Sequence, residues 1–131
     1  MAGRSIIAGA AALIALCGTA QADILSGGPI YGAASEVGGG VICSIFNAGT
    51  QSVTISYRQI YDQLGNLQTL VSDTCNVSLG AGKSCFYEAQ IKTALFLSCR
   101  AVVNGIDNNV SGSVLLFNSS GQVFGMLPMH R

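Results

Sequence analysis

Short runs of alternating residues recur along the chain and restrict its fold more than any other sequence feature. The runs at 41–46 and 53–58 each assign successive side chains to opposite faces of an extended backbone. Further runs follow at 67–71, 85–89, 94–103, 110–117 and 122–127. Segments rich in Asn, Asp and Gly separate these runs and favour turns. Seven or eight short strands, spaced at intervals of roughly 8 to 12 residues, predict an all-β sandwich or a small barrel.

The first 22 residues carry an export signal instead of a strand pattern. Arg4 precedes an apolar run from Ile6 to Leu16, and Ala20-Gln21-Ala22 supplies the small residues that a signal peptidase reads. The apolar core is about ten residues long, whereas a membrane-spanning helix needs roughly 20. We therefore predict that residues 1–22 are a cleaved signal peptide and that the protein is secreted or periplasmic, with no stable membrane insertion after cleavage. Retention of this segment as a membrane anchor is the alternative.

The segment left after cleavage has the size of one domain. Removing 22 of the 131 residues leaves 109. Residues 23–40 are rich in Gly and Ala and lack alternation, so we interpret them as an N-terminal arm, either flexible or donated to a partner as a strand. The β-sandwich domain then covers residues 41–131.

Four cysteines remain in this domain: Cys43, Cys75, Cys85 and Cys99. An even number in an exported protein indicates two disulfides, with free thiols and a zinc site as alternatives. Zinc is disfavoured because the spacings of 32, 10 and 14 residues include no C-x-x-C pair and the single histidine is the penultimate residue. Strand phase turns Cys43 and Cys99 inward, which predicts one bridge between them across the sheets. Cys75 and Cys85 then form the second bridge.

Charge excludes two classes of partner. After cleavage, five Lys or Arg residues face six Asp or Glu residues, which gives a net charge of minus one. Binding to phosphates requires clustered cations, so we expect no nucleic-acid partner and no attraction to an anionic membrane.

A series of turn and strand motifs lies between Val41 and Ala89. The motifs are Asn47-x-Gly49, Val53-x-Ile55-x-Tyr57, Asp62-x-x-Gly65 and Leu79-x-x-Gly82. This series resembles the immunoglobulin-like β-sandwich modules of bacterial exported and surface proteins. Ala81 stands where those modules usually carry a proline, and the chain has no tryptophan to pack on the Cys43–Cys99 bridge. The resemblance implies an antiparallel sandwich in an extracytoplasmic setting and implies no activity.

Residues suited to catalysis or metal binding are scattered. His130 lies at the C-terminal end, and the carboxylates that a hydrolase would need lie at turns or strand edges, where such groups usually cap turns or face water. These carboxylates are Asp62, Asp73, Glu88 and Asp107. The segments 62–66 and 107–109 offer oxygen ligands, but without the carboxylate spacing of calcium loops. We predict no enzyme activity, no cofactor and no metal site.

Two classes of non-catalytic function are favoured, and a small secreted enzyme ranks third. The first is a structural or protein-interaction module of the cell envelope or extracellular space, which holds another exported protein through a sheet face or an open edge. The second is a small-ligand or carbohydrate-binding module that stacks sugars on exposed aromatic rings. The candidate rings are Tyr31, Tyr57, Tyr61, Tyr87 and Phe96. We favour the first class; an unpaired apolar edge indicates it, whereas tyrosines grouped beside a concave face indicate the second.

Overall fold

A computed structural model of the chain describes residues 22–32, 38–76, 78–93, 95–105 and 109–131. Within these residues the chain forms nine β-strands and no helix. The strands are β1 (Ala22–Gly32), β2 (Gly40–Asn47), β3 (Val53–Asp62), β4 (Leu70–Asp73), β5 (Ser78–Leu79), β6 (Ser84–Gln90), β7 (Leu95–Asn104), β8 (Val110–Phe117) and β9 (Val123–Met129). Residues 1–21 of the predicted signal peptide lie outside the described residues.

Two antiparallel sheets enclose the core. Sheet A has four strands in the order β1-β7-β3-β5, and sheet B has five in the order β4-β6-β2-β8-β9. Alternate residues of β2 and β7 turn inward, so Val41, Cys43 and Ile45 are buried against Leu97 and its inward neighbours. The prediction of an all-β, antiparallel, two-sheet architecture is confirmed, whereas the immunoglobulin-like resemblance stays a prediction.

Residues 22–32 differ from the arm predicted for residues 23–40, of which residues 33–37 lie outside the described residues. Residues 22–32 form β1, which pairs with β7 along its length, so sheet A begins well before residue 41. The register shifts between Gly27 and Ile30, and the intervening Gly28-Pro29 peptide is cis. The register shift allows both Leu25 and Ile30 to face inward although they are five residues apart. A period-two pattern cannot run through such a bulge, which is why the segment lacked alternation.

Both predicted disulfides are present. Cys43 of β2 bonds to Cys99 of β7 and joins the two sheets, with 5.9 Å between their Cα atoms. Cys75, which follows β4, bonds to Cys85 of β6, with 5.0 Å between their Cα atoms. All four cysteines are buried. Two such bridges are typical of an oxidising, non-cytoplasmic compartment.

The described residues contain no helix of the length and apolarity needed to span a bilayer.

Candidate interaction surfaces

β9 forms one edge of sheet B and exposes most of its apolar side chains. Met126 is 68% exposed, and Val123, Phe124 and Leu127 also face solvent. No charged residue lies between Val123 and Met129. Edge strands of soluble proteins usually carry charges that discourage further pairing, so β9 is unusual in this respect.

Among the described strands, only β8 pairs with β9. On the other edge, just after β9, His130 and Ser26 exchange hydrogen bonds of 2.7 and 2.8 Å. Backbone groups of successive residues point to opposite edges of a strand, so Met126 directs its N–H and C=O to the same edge as His130. Within the described residues these two groups of Met126 have no partner. Pro128, between them, has no N–H to offer.

β1 approaches β9 closely at one point and then diverges from its edge. A Cβ atom on Gly27 would lie 2.7 Å from Met129 Cγ, so only glycine allows this approach. Farther along, Ile30 contacts the inner side of β9 at Gly125 instead of pairing with its backbone. A groove remains between the two strands, with Pro128 on one wall. We call the unpaired side of residues 123–128 the β9 edge.

Apolar side chains continue from the β9 edge across the outer face of sheet B. Met126 lies opposite Leu115 of β8, and Leu115 lies opposite Ile42 of β2. Leu115 and Ile42 are half-buried. The first charge in this row is Glu88 of β6, opposite Ile42. A segment added beside β9 would therefore meet an uncharged surface.

A second surface, on the outer face of sheet A, collects four of the five predicted aromatic residues. Tyr57 and Tyr61 of β3 line a shallow groove with Arg100 of β7. Tyr31 of β1 and Phe96 of β7 are in contact, with ring centroids 4.8 Å apart. We call this surface the aromatic face.

The fifth aromatic candidate, Tyr87, is not available to a ligand, so its assignment as a sugar-stacking residue is wrong. It is fully buried beside Cys43 on the neighbouring strand, and its hydroxyl donates a hydrogen bond of 2.9 Å to the carbonyl oxygen of Arg100. Burial raises the pKa of this phenol. The strand phase of β6 turns Tyr87 inward together with Cys85.

Two of the four candidate carboxylates, Asp62 and Asp73, accept hydrogen bonds from turn backbone. Asp62 accepts backbone hydrogen bonds from Leu64 (2.8 Å) and Asn66 (2.9 Å), and the hydrogen bond from the Asn66 side chain lowers the pKa of Asp62. Asp73 accepts a hydrogen bond of 2.9 Å from the Cys75 N–H and forms an ion pair of 2.6 Å with Arg58. Both therefore act as turn caps, as predicted.

The remaining candidate catalytic and metal-binding residues are not brought together in one site within the described part of the chain. Glu88 lies on the outer face of sheet B and His130 at the end of β9, whereas Asp107 and the rest of 106–108 lie outside the described residues. No group of three or more potential metal ligands occurs in the described part of the chain.

A scan against protein-family models found no match to this chain, and searches of curated proteins and of solved structures found none either.

Proposed function

We propose that this protein is an exported, non-catalytic β-sandwich that holds another envelope or extracellular protein by accepting an extended segment of it at the β9 edge. The supporting observation is Met126, which combines an exposed apolar side chain with backbone groups that have no partner among the described residues. Strand addition uses both: main-chain hydrogen bonds provide affinity, and alternate side chains provide specificity.

The chemistry of the β9 edge favours an apolar partner segment. A strand paired with β9 would extend sheet B and place every second side chain on its outer face, beside Met126. An uncharged surface attracts no charged segment, and an exposed apolar strand is a liability for aggregation when nothing covers it. The expected occupant is therefore a short extended segment with apolar residues at alternate positions.

The setting supports such a partner. The predicted signal peptide and the two disulfides are consistent with a secreted or periplasmic protein. In that setting the partner is another exported protein.

Site-specific photo-crosslinking in the source cells tests this proposal. A photoreactive amino acid replaces Met126 in one variant and Val71 in the control, because Val71 is 58% exposed and lies on β4, the opposite edge strand of sheet B. We expect an adduct from position 126 and none from position 71. Mass spectrometry of the adduct should locate the link in an extended segment of a different exported protein.

Hydrogen exchange gives a second readout on the isolated complex. The amide of Met126 should exchange rapidly in the free protein and slowly in the complex, while that of Leu127, which faces β8, should change little. Equal crosslinking from positions 126 and 71, or an adduct only between two copies of this chain, would contradict the proposal.

A further inference from the structure

The aromatic face carries a cation that no other described group neutralises. Arg100 is exposed on the outer face of sheet A, between the buried Cys99 and Ala101. Its guanidinium forms no hydrogen bond or ion pair within the described residues, whereas the guanidinium groups of Arg58 and Arg131 each lie beside a carboxylate. A guanidinium presents five N–H donors in a planar fork that fits a carboxylate.

Aromatic and amide groups surround this guanidinium in a defined order. Gln59 of β3 lies opposite Arg100, and Tyr57 and Tyr61 flank Gln59 on the same face of the strand. The Tyr61 hydroxyl donates a hydrogen bond of 2.6 Å to Gln59 Oε1, which orients the amide. The groove therefore combines hydrogen-bond donors with two tyrosine rings, one of which, Tyr57, is 60% exposed.

The aromatic groups extend in a line along the strands. Tyr57 and Tyr61 are four residues apart, which corresponds to about 13 Å along a strand. Beyond Tyr61 lies a second depression, lined by Phe96, Pro29 and Ser98 together with Asp62. The Asp62 carboxylate would repel an anionic group, so the line that suits an acidic ligand ends at Tyr61. A ligand that follows this line is elongated, presents apolar faces to the rings and presents acceptors to Arg100 and Gln59.

We infer that the aromatic face binds an acidic polysaccharide, a glycan whose sugar rings carry carboxylates. The C–H faces of pyranose rings pack on aromatic rings, and hydroxyl and carboxylate oxygens accept hydrogen bonds from amide and guanidinium groups. The unpaired charge of Arg100 selects the carboxylated glycan over a neutral one. This site lies on the opposite sheet from the β9 edge, so the two proposals stand independently.

Affinity electrophoresis of the purified protein in native gels tests this inference. The gels contain polygalacturonate, neutral dextran or dextran sulfate as probes. We expect retardation by polygalacturonate and little by dextran. Dextran sulfate controls for attraction by charge alone and should retard the protein less, because a protein with a net charge of minus one attracts polyanions only weakly. Arg100→Gln should weaken binding to polygalacturonate about tenfold. Lys83→Gln, which removes an exposed charge elsewhere, should leave it unchanged.

A second pair of variants tests the rings. Tyr57→Ala should weaken binding about fivefold, whereas Phe86→Ala, at an exposed ring on sheet B, should have no effect. Thermal unfolding of each variant confirms that it is folded. Absence of retardation by polygalacturonate, equal retardation by dextran or dextran sulfate, or equal losses in a variant and its control would overturn the inference.

Discussion

The two sides of the sandwich differ in the contacts that join the edges of the two sheets. On the side of β3 and β4, Arg58 of sheet A forms an ion pair of 2.6 Å with Asp73 of sheet B and donates a hydrogen bond to the carbonyl oxygen of Ile55. On the side of β1 and β9, the backbone contact between the sheets in the described residues is the single bridge of Ser26 with His130, and Arg131 lies 3.7 Å from Asp23. On the first side, a directional contact joins the strands themselves. On the second side, the directional contacts lie after the end of β9, and the backbone groups of Met126 have no partner within the described residues.

Strand length follows the same division. The edge strands on the side of β3 and β4 are β4 and β5, which have four and two residues, and β4 contains a register shift. Both features limit further pairing. β9 has seven residues and no charge. We therefore expect substitutions on the side of β3 and β4 to lower the free energy of unfolding. Substitutions at the β9 edge should change only the binding of a partner segment.

The largest effect on the side of β3 and β4 is expected from its disulfide. Replacing Cys75 and Cys85 with alanine should lower the free energy of unfolding by about 3 kcal/mol on the loop-entropy model. Urea unfolding followed by circular dichroism measures the loss. The Cys43–Cys99 bridge is the reference, since it closes 56 residues and should contribute about 4 kcal/mol on the same model. A loss below about 1 kcal/mol on removal of the Cys75–Cys85 bridge would contradict the view that the side of β3 and β4 stabilises the fold.

The next largest loss of stability is expected from Asn47, at the end of β2. Its side chain is fully buried; the amide donates hydrogen bonds to the carbonyl oxygens of Gln51 (2.8 Å) and Leu79 (3.0 Å), and its oxygen accepts one from the Gly49 N–H (3.0 Å). Asn47→Ala leaves these backbone groups unsatisfied and should cost about 2 to 3 kcal/mol in the same urea assay. Asn66→Ala, at an exposed turn, is the control and should cost under about 1 kcal/mol. Equal losses would contradict this account.

Tyr87 links the two sheets and predicts a dependence on pH. Because burial raises its pKa in the folded protein, the phenol stays neutral there, whereas the unfolded chain ionises above its ordinary pKa of about 10. The free energy of unfolding should therefore be unaffected by this group below pH 10 and should fall above it, by up to about 1.4 kcal/mol per pH unit.

Tyr87→Phe isolates that contribution. The variant loses the hydrogen bond to Arg100 O, which should cost about 1 kcal/mol at neutral pH, and its stability should decline less steeply than that of the wild type above pH 10. Urea titrations between pH 8 and 11 measure both quantities, with each variant compared to the wild type at the same pH. Parallel pH profiles would show that Tyr87 ionises in the folded state.

The sequence predicted the features that depend on short-range patterns, namely the alternation of residues along a strand and the residue types of turns. The inward phase of β2 and β7 gave the Cys43–Cys99 pairing, and the turns gave the capping roles of Asp62 and Asp73. β1 was missed because its bulge breaks the period, and β5 because two residues show no period.

Which strand lies at an edge could not be predicted, since strand order is set by contacts between residues far apart in the chain. The run 122–127 indicated a strand, but only the order β2-β8-β9 makes it an edge. The aromatic face has the same origin: Tyr31, Tyr57 and Phe96 share it because β7 lies between β1 and β3. The lack of charge in β9 could not indicate an edge, because edge strands usually carry charges.

The smallest effect on stability is expected at the β9 edge. Met126 is largely exposed and contributes little to the core, so Met126→Lys should change the free energy of unfolding by no more than about 0.5 kcal/mol. The same change puts a charge on the edge and should abolish crosslinking from a photoreactive residue at position 124, because a charged edge resists strand addition. Val71→Lys on β4 is the matched control and should leave that crosslinking intact. If Met126→Lys unfolds the protein while Val71→Lys does not, the β9 edge is part of the stabilising structure, and the distinction between a stabilising side and a binding side is wrong.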